Sequence, residues 1–239
     1  MSGSYIVAGA RTPIGKMSGA LASFTAAELG GFAIKAALER AGVAPEEVEH
    51  VIMGQVLTAG QGQVPSRQAA FNGGIPMSVP SININKVCLS GLNSIYLANQ
   101  MIMSGEADIV IAGGMESMTN APYLAQGARG GFRYGNTELQ DAIVRDGLWC
   151  AFDACLMGLG TERYAAGGIT RDQQDDMAMK SNVRAAAAIA EGRFTDEIVP
   201  VSIPQRKGDP KVVSTDEGVR ADTTMESLAG LKPAFDKEG

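Results

Sequence analysis

One cysteine of the chain stands where a nucleophile would be placed. Cys88 lies in the segment 83–94, Asn-Ile-Asn-Lys-Val-Cys-Leu-Ser-Gly-Leu-Asn-Ser, in which an apolar strand pattern turns directly into an apolar helix pattern. The free N–H groups and the positive dipole end of that helix would favour the thiolate, and the small Ser90 and Gly91 would leave the sulfur open to a substrate. An inert buried thiol fits the same position, because free cysteines are often buried without reacting. Position alone therefore leaves both interpretations open.

The other residues that could carry chemistry form weaker patterns. Cys150 and Cys155 are five positions apart with no histidine nearby, which argues against a zinc site. The glycine-rich stretch 127–131 lacks the Lys-Ser/Thr ending of a phosphate-binding loop. His50 is the only histidine of the chain and lies in an acidic run before a strand pattern, which indicates a surface or strand-edge role. The three cysteines are sparse and odd in number, so the sequence predicts neither a disulfide framework nor a metal site.

Alternating strand and helix patterns surround Cys88. Short apolar runs predict four strands, at Tyr5–Ala8, Val51–Met53, Ser81–Asn85 and Ile109–Ala112. Helices are predicted between them, after the capping box Thr25-x-x-Glu28, at Ser66–Asn72 and at Leu89–Ser104. The helix at Leu89–Ser104 is apolar on nearly every face, which predicts that it is buried inside the protein. This alternation indicates an α/β fold with a layered core, assigned to residues 1–118.

The remainder of the chain has a different texture. Residues 119–134 are rich in glycine and alanine and are predicted to form an extended loop. A long helix is predicted from Thr170, with Gln173 as its capping partner, to Gly192. Short strands are predicted at Glu197–Ile203 and Lys211–Val213, on either side of a turn. We interpret residues 119–239 as an α+β loop domain inserted after the fourth strand.

Charge and composition exclude several classes of partner. The 239 residues include 20 Lys and Arg against 26 Asp and Glu, a net charge of −6. An acidic surface repels nucleic acids and anionic membranes, so neither is expected as a general partner. The N-terminal residues do not resemble a targeting segment, and no apolar run approaches the roughly 20 residues that span a bilayer. We therefore expect a cytoplasmic protein.

Motifs spread over the whole chain resemble those of the thiolase family. The segment around Cys88 is similar to the acyl-enzyme signature of thiolases. The other matching segments are 11–16 (Arg-Thr-Pro-Ile-Gly-Lys), 112–118 (Ala-Gly-Gly-Met-Glu-Ser-Met), 146–148, 157–158, 196–200 and 232–237. The resemblance implies a thiolase-like layered α/β domain with a mixed sheet between helices.

The same resemblance implies the reaction and its participants. Cys88 would take the acyl group from one coenzyme A thioester and pass it on, either to acetyl-CoA, giving acetoacetyl-CoA and coenzyme A, or to coenzyme A in thiolysis of a 3-ketoacyl-CoA. Coenzyme A would be a substrate, so no cofactor is expected. Arg220 would meet its nucleotide end with Ser227 nearby, and Leu148 and Met157 would line the pantetheine and acyl channel. Without the resemblance, Arg220 is an ordinary surface charge, and Leu148 and Met157 are ordinary core residues.

Two features of the family are absent or changed. Many acetoacetyl-forming members have histidine where this chain has Leu156, which makes the pocket more apolar here. The family's catalytic His-Pro and Cys-x-Gly-Gly-Gly segments do not occur in the 239 residues. We therefore expect the N-terminal part of a longer protein, with the C-terminal half and the last strand of the first domain missing, and inactive alone. The full-length protein is expected to form a homodimer or homotetramer, with the 119–134 loop at tetramer contacts.

Two alternatives stay open at this point. A condensing enzyme of the ketosynthase type shares the fold and the cysteine, although the Asn85–Cys88 and Met115–Met118 segments favour a thiolase. A non-catalytic, thiolase-like binding or assembly module is the other alternative.

Overall fold

A parallel sheet forms the centre of the first half of the chain. The computed structural model describes residues 3–237. In it, β1 (His50–Gly54) lies between β2 (Ser81–Ile84) and β3 (Val110–Gly114). Both pairings are parallel, with Ile52 opposite Ile82 on one side and Ala112 on the other. The predicted α/β class is confirmed, and three of the four predicted strands are present with small differences at their ends.

Helices cover the two faces of this sheet. α1 (Ala26–Ala41) and α2 (Pro65–Asn72) pack with Met53 in one buried apolar cluster. Successive strand residues point to opposite faces, and Gly54 accordingly meets the first turn of α3 (Ser90–Ser104) on the other face. The first half therefore has the predicted layers of helix, sheet and helix.

Local hydrogen bonds set the ends of the long helices. Thr25 Oγ1 accepts from the backbone N–H of Glu28 over 3.2 Å, and the Glu28 carboxylate accepts from the backbone N–H of Thr25 over 2.8 Å. This is the predicted capping box, and α1 ends at Gly42, whose φ of 65° suits a left-handed helix cap. α5 (Arg171–Ala190) begins with the predicted capping box of Thr170 and Gln173.

The predicted strand at Tyr5–Ala8 is wrong. Residues 3–10 have no strand pairing, and the side chains of Tyr5, Ile6 and Val7 are exposed. The segment is held by side-chain hydrogen bonds instead: Ser4 Oγ donates to Asn99 Oδ1 of α3 over 2.6 Å, and Arg40 of α1 donates to the Gly9 carbonyl over 2.8 Å. A strand exists through hydrogen bonds to a neighbour, and within residues 3–237 no strand lies beside this segment.

The prediction that the third helix is buried is also wrong, although the helix itself is present. The face of α3 that contacts the sheet consists of small residues, Ser90, Ser94 and Ala98. Its larger apolar side chains point away from the sheet and are exposed: Leu92, Ile95, Tyr96 and Met103. Small residues allow a helix to approach a sheet closely, so packing of α3 selects this face over the more apolar one.

Short elements follow the first half. They are β4 (Tyr123–Leu124), β5 (Gln140–Asp141), a π-helical turn at Ile143–Leu148, β6 (Trp149–Cys150), β7 (Cys155–Leu156), α4 (Met157–Ala165), α5, β8 (Val201–Ile203), β9 (Lys211–Val213) and α6 (Met225–Ala229). β4–β5, β6–β7 and β8–β9 are antiparallel pairs, and β8 and β9 form the predicted pair of short strands. None of the helices in residues 3–237 has the length and apolarity to cross a membrane. The division into domains 1–118 and 119–239 stays a prediction, and its ends (residues 1–2 and 238–239) lie outside the described residues.

Arg11 joins the N-terminal segment to the second half. Its guanidinium pairs with both carboxylate oxygens of Asp216, over 2.7 and 3.0 Å, and its Nε donates to Glu197 over 2.6 Å. Its backbone N–H donates to the Glu197 carbonyl over 2.9 Å, and its carbonyl accepts from Val199 N–H over 2.8 Å. The first motif of the chain is therefore a structural junction.

Replacing Asp216 with asparagine is expected to destabilise this junction by about 1–3 kcal/mol at pH 7, the usual loss for a hydrogen bond to a charged group. The side chains of Arg11 and Asp216 are only 29% and 11% exposed, so solvent screens the pair incompletely. Hydrogen bonding from Arg11 lowers the pKa of Asp216 below its ordinary value of 3.8. The wild-type advantage should therefore be complete above about pH 4 and disappear as pH falls through the lowered pKa. Urea unfolding at several pH values measures it, with the exposed Asp209→Asn as control. An advantage that grew on acidification would contradict the assignment.

Candidate active site

Cys88 lies on a strained turn between a strand and a helix. The turn connects the C-terminal end of β2 to the first residue of α3, and Cys88 is exposed there. The preceding residue, Val87, has a φ of 51°, which is a left-handed conformation that β-branched residues rarely adopt. Such strain costs about 1–3 kcal/mol and concentrates at functional sites. The alternative of a buried thiol is wrong for Cys88, while its role as nucleophile stays a prediction.

Side-chain hydrogen bonds hold the turn in this conformation. Asn85 Oδ1 accepts from the Val87 N–H over 2.9 Å. Ser90 Oγ accepts from the Lys86 N–H over 2.8 Å and donates to the Val87 carbonyl over 2.6 Å. Both partners come from the Cys88 segment, so the sequence motif builds its own turn.

The helix behind Cys88 is anchored rigidly to the sheet. Ser94 is fully buried, and its hydroxyl lies 2.8 Å from the Gly113 carbonyl of β3 and 2.6 Å from the Gly91 carbonyl. A Cβ at Gly54 would overlap the backbone of Ser90 and Gly91, so a glycine is required where β1 meets α3. The nucleophile candidate is therefore positioned by backbone packing, which fixes a reactive group well.

Glu116 joins the carboxyl ends of β1 and β3 close to this turn. Its carboxylate accepts from the Val56 N–H over 2.8 Å and from the Leu57 N–H over 3.3 Å. Burial raises the pKa of Glu116, and the hydrogen bonds from Val56 and Leu57 oppose that rise. The sequence analysis used Glu116 only as part of a motif and gave it no role. The signal that could have found it is an acidic residue two positions after the end of an apolar strand.

Leu148 and Met157 flank the β6–β7 hairpin. Trp149 pairs with Leu156 in that hairpin, so the next positions outward in the same register are Leu148 and Met157. Both side chains are partly exposed, at 40% and 45%. Neither is therefore the ordinary core residue that the alternative interpretation required. In the structure, Leu148 directly precedes β6 and Met157 directly follows β7.

The hairpin region also contacts the carboxyl end of the sheet. A Cβ at Gly147 would lie 3.5 Å from Leu57 and 3.8 Å from Val56. The Val56 carbonyl in turn accepts from Asn85 Nδ2 over 3.4 Å. These contacts connect Leu148 to the Cys88 turn through a short path of neighbouring residues.

Phe235 is a residue of this region that the sequence analysis did not single out. Its ring lies on Gly158, where any Cβ would overlap it. Gly158 follows Met157, so the ring stands beside one of the predicted channel residues. An aromatic residue in the last matching motif was the available signal.

Arg220 and Ser227 lie on the surface near α6. The Arg220 backbone N–H donates to Asn182 Oδ1 over 3.0 Å, and the Arg220 side chain is exposed. Ser227 forms a capping box with Thr224, in which its own N–H donates to Thr224 Oγ1 over 3.2 Å. Within residues 3–237, neither residue is hydrogen-bonded to the Cys88 turn. Their binding roles stay predictions.

His50 is at the wrong end of the sheet to assist Cys88. It begins β1, whose last residue, Gly54, is level with Ile84 of the parallel strand β2. Four residues of strand span about 13 Å, and Cys88 lies beyond Ile84. A general base must come within about 3 Å of the group it deprotonates. The predicted strand-edge role of His50 agrees with this position.

A separate cavity of about 310 Å³ lies between the N-terminal segment and the end of β3. Residues 12–17 and 116–119 form most of its lining, together with Leu21, Ala22 and Leu29. Cys88 is not among these residues, so the cavity is distinct from the turn.

Iodoacetamide is expected to modify Cys88 at least about tenfold faster than Cys155, with Cys150 between them, because reaction requires an accessible thiolate. Cys88 is exposed, Cys150 half-buried and Cys155 buried. The Cys150 thiol also donates a hydrogen bond to the Asp153 carboxylate over 3.3 Å. Limiting reagent and peptide mass spectrometry give the order. Faster labelling of Cys150 or Cys155 would contradict the assignment of Cys88 as the reactive thiol.

Comparison with known proteins agrees with these motifs. The family model described as the N-terminal domain of thiolase matches residues 4–239. An acetyl-CoA acetyltransferase of Cupriavidus necator is 54% identical over 240 residues, which cover 100% of this chain and 61% of the relative. A probable acetyl-CoA acetyltransferase of Mycolicibacterium smegmatis is 55% identical over 235 residues, 98% of this chain and 61% of the relative. An acetyl-CoA acetyltransferase of Chromobacterium violaceum is 52% identical over 235 residues, 98% of this chain and 60% of the relative. The chain thus spans about three fifths of the length of these relatives.

Proposed function

The chain belongs to the thiolase family, and on that premise we propose that Cys88 accepts an acyl group from a coenzyme A thioester and passes it on. The observation that carries the proposal is the exposed Cys88 on a turn strained at Val87, between a parallel strand and a helix N-terminus. Enzymes with nucleophiles on a sharp strand-to-helix turn use the same arrangement to present the reactive atom above the sheet.

The transfer proceeds in two steps. The Cys88 thiolate attacks the thioester carbonyl, the bond from carbonyl carbon to coenzyme A sulfur breaks, and coenzyme A departs as a thiol after taking a proton. The acyl group then moves from Cys88 to a second acceptor, which regenerates the thiolate. Dividing the exchange this way replaces one difficult step with two easier ones. The N–H of Cys88 would donate to the carbonyl oxygen as it gains negative charge, a contribution of roughly 3–4 kcal/mol in other enzymes.

Acetyl-CoA is the substrate that the relatives' names suggest, because three relatives are named as acetyl-CoA acetyltransferases, one of them as probable. We propose two acetyl-CoA molecules giving acetoacetyl-CoA and coenzyme A, or the reverse thiolysis of a 3-ketoacyl-CoA, with no further cofactor. Leu148 and Met157, which flank the hairpin, would line the acyl channel, and Phe235 beside Met157 adds a further apolar surface. In the β6–β7 hairpin, Leu156 pairs with Trp149, so the end of the proposed channel beside the hairpin is apolar.

We also propose an oligomeric state, a cellular compartment and a metabolic role for the whole protein. We propose a homodimer or homotetramer, acting in the cytoplasm in fatty acid metabolism. Residues 125–140 support the oligomer, because they are exposed throughout and carry the exposed apolar side chains of Phe132, Tyr134 and Leu139. An exposed loop with such residues suits a contact between subunits.

Covalent capture of an acyl group tests the central proposal. The chain is mixed with acetyl-CoA, quenched in acid and digested with trypsin, which places Cys88 alone among the cysteines on peptide 87–129. One acetyl adduct on that peptide, with release of coenzyme A, is the expected result. An adduct only on peptide 146–163, which carries Cys150 and Cys155, would contradict the proposal.

Replacing Arg220 with alanine is expected to weaken coenzyme A binding about three- to tenfold, since an exposed ion pair with phosphate is modest and screened by salt. The rate of acyl capture at saturating thioester should stay unchanged, because the contact is remote from the reacting carbon. Calorimetry with coenzyme A measures the dissociation constant, and Arg206→Ala, in another exposed turn, is the matched control. An unchanged dissociation constant together with a greatly reduced rate of acyl capture would contradict the assignment of Arg220 to coenzyme A binding.

A further inference from the structure

Two cysteines that the proposed acyl transfer does not use face each other across a hairpin. Cys150 ends β6 and Cys155 begins β7, and the antiparallel register makes them direct partners. The hairpin loop between them has four residues, and Ala154 turns the chain back with a φ of 50°. Five positions of sequence separation had suggested no role for this pair, whereas the hairpin brings the two residues together.

The spacing of cross-strand partners suits a disulfide. Directly opposite residues of an antiparallel pair have Cα atoms about 4.5 or 5.5 Å apart, depending on the type of pair. Disulfides span Cα separations of roughly 4.4–6.8 Å. The two thiols are free in the structure, and their register as direct cross-strand partners suits the span of a disulfide.

The surroundings of the two sulfurs differ in a way that suits a two-step exchange. Cys150 is half-buried, so a small reagent can reach it, and its sulfur accepts from the Asp153 N–H over 3.4 Å. Cys155 is only 5% exposed, and its sulfur lies 3.8 Å from a guanidinium nitrogen of Arg163. Cys150 is thus the thiol open to attack from solvent, and Cys155 is the shielded thiol ready to react with its neighbour.

We propose that Cys150 and Cys155 form a thiol–disulfide exchange site, separate from Cys88, that reacts with low-molecular-weight disulfides. The Cys150 thiolate attacks one sulfur of the small disulfide, forming a mixed disulfide and releasing one small thiol. The Cys155 thiolate then attacks the Cys150 sulfur and expels the second small thiol. One small disulfide is reduced to two thiols, and the two cysteines are oxidised to one disulfide. Excess small thiol reverses both steps.

Glutathione disulfide serves as the probe. The chain is incubated with it, quenched with N-ethylmaleimide and digested with trypsin, which leaves Cys150 and Cys155 together on peptide 146–163 and Cys88 on peptide 87–129. Peptide 146–163 should lose two hydrogen atoms and carry neither glutathione nor maleimide. Cleavage before Asp153 should then leave two pieces joined only by the disulfide, and dithiothreitol should separate them. Cys88 is not a cross-strand partner of another cysteine in the described residues, so it should stop at the mixed disulfide.

Serine variants separate the two steps. In Cys155→Ser, Cys150 should retain glutathione at least about tenfold more than in the wild type, because the second attack is intramolecular and normally removes the adduct. In Cys150→Ser, Cys155 should stay unmodified because it is buried. Cys88→Ser should leave the pair unchanged. A lasting glutathione adduct on Cys150 of the wild type, a bond between Cys150 and Cys88, or a pair still fully labelled by maleimide once Cys88 has reacted would each overturn the proposal.

Discussion

Cys88→Ser is expected to lower the rate of acyl capture from a coenzyme A thioester by at least about a thousandfold, the scale seen when a catalytic nucleophile is removed. Serine has nearly the same shape, so the turn held by Asn85 and Ser90 should persist. A hydroxyl without an adjacent base is a weak nucleophile at neutral pH, and His50 lies at the opposite end of the sheet. The loss should therefore come from chemistry while folding is retained.

The measurement is acetyl incorporation into peptide 87–129 over time, for the wild type and the variant side by side. Cys150→Ser makes the same chemical change on the hairpin and should capture the acyl group at the wild-type rate. Circular dichroism checks that all three proteins are folded. Capture by Cys88→Ser within tenfold of the wild type would show that another residue receives the acyl group.

The 239-residue chain is expected to turn over acetoacetyl-CoA at least about a thousandfold more slowly than the Cupriavidus necator relative, since general acid–base catalysis contributes about 10²–10⁴-fold. Each turnover needs a proton removed from the attacking group and delivered to the leaving one. His50 is the single histidine and begins β1, whereas the Cys88 turn lies beyond the other end of the sheet. The length of the strand alone separates the two by about 13 Å. Stoichiometric acylation of Cys88 is still expected, because its thiol is exposed to a thioester from solvent.

Consumption of acetoacetyl-CoA with added coenzyme A is followed spectroscopically for both proteins at equal concentration. Acyl capture by the same preparation is the control, because it shows that Cys88 is intact and accessible. A rate within tenfold of the relative would mean that a residue of this chain other than His50 acts as the base.

The structure defines which features depended on local sequence. Both capping boxes, Thr25 with Glu28 and Thr170 with Gln173, form as predicted because their hydrogen bonds join residues three positions apart. The turn at Cys88 is local in the same sense, since Asn85 and Ser90 supply its hydrogen bonds. The sequence alone was therefore sufficient for the α/β class, most of the helices and strands, and the position of the candidate nucleophile.

Features that depend on distant residues were decided by the tertiary structure. Tyr5–Ala8 has the composition of a strand, but pairing requires a neighbour that no local pattern specifies. The apolar residues of α3 predicted burial, whereas close packing against Gly54 and Gly114 selected its small-residue face. Exposure of Cys88 follows from that packing, so the sequence could not distinguish an accessible thiol from an inert one.

The β6–β7 hairpin shows most clearly which features local sequence determines and which the tertiary structure decides. Periodicity identified neither β6 nor β7, because two-residue strands are too short to display alternation. Their register nevertheless sets Trp149 opposite Leu156 and Cys150 opposite Cys155. Sequence determined which side chains are available for chemistry, and the pairing of strands determined which of them meet, because register depends on hydrogen bonds between backbone segments and on the turn that joins them.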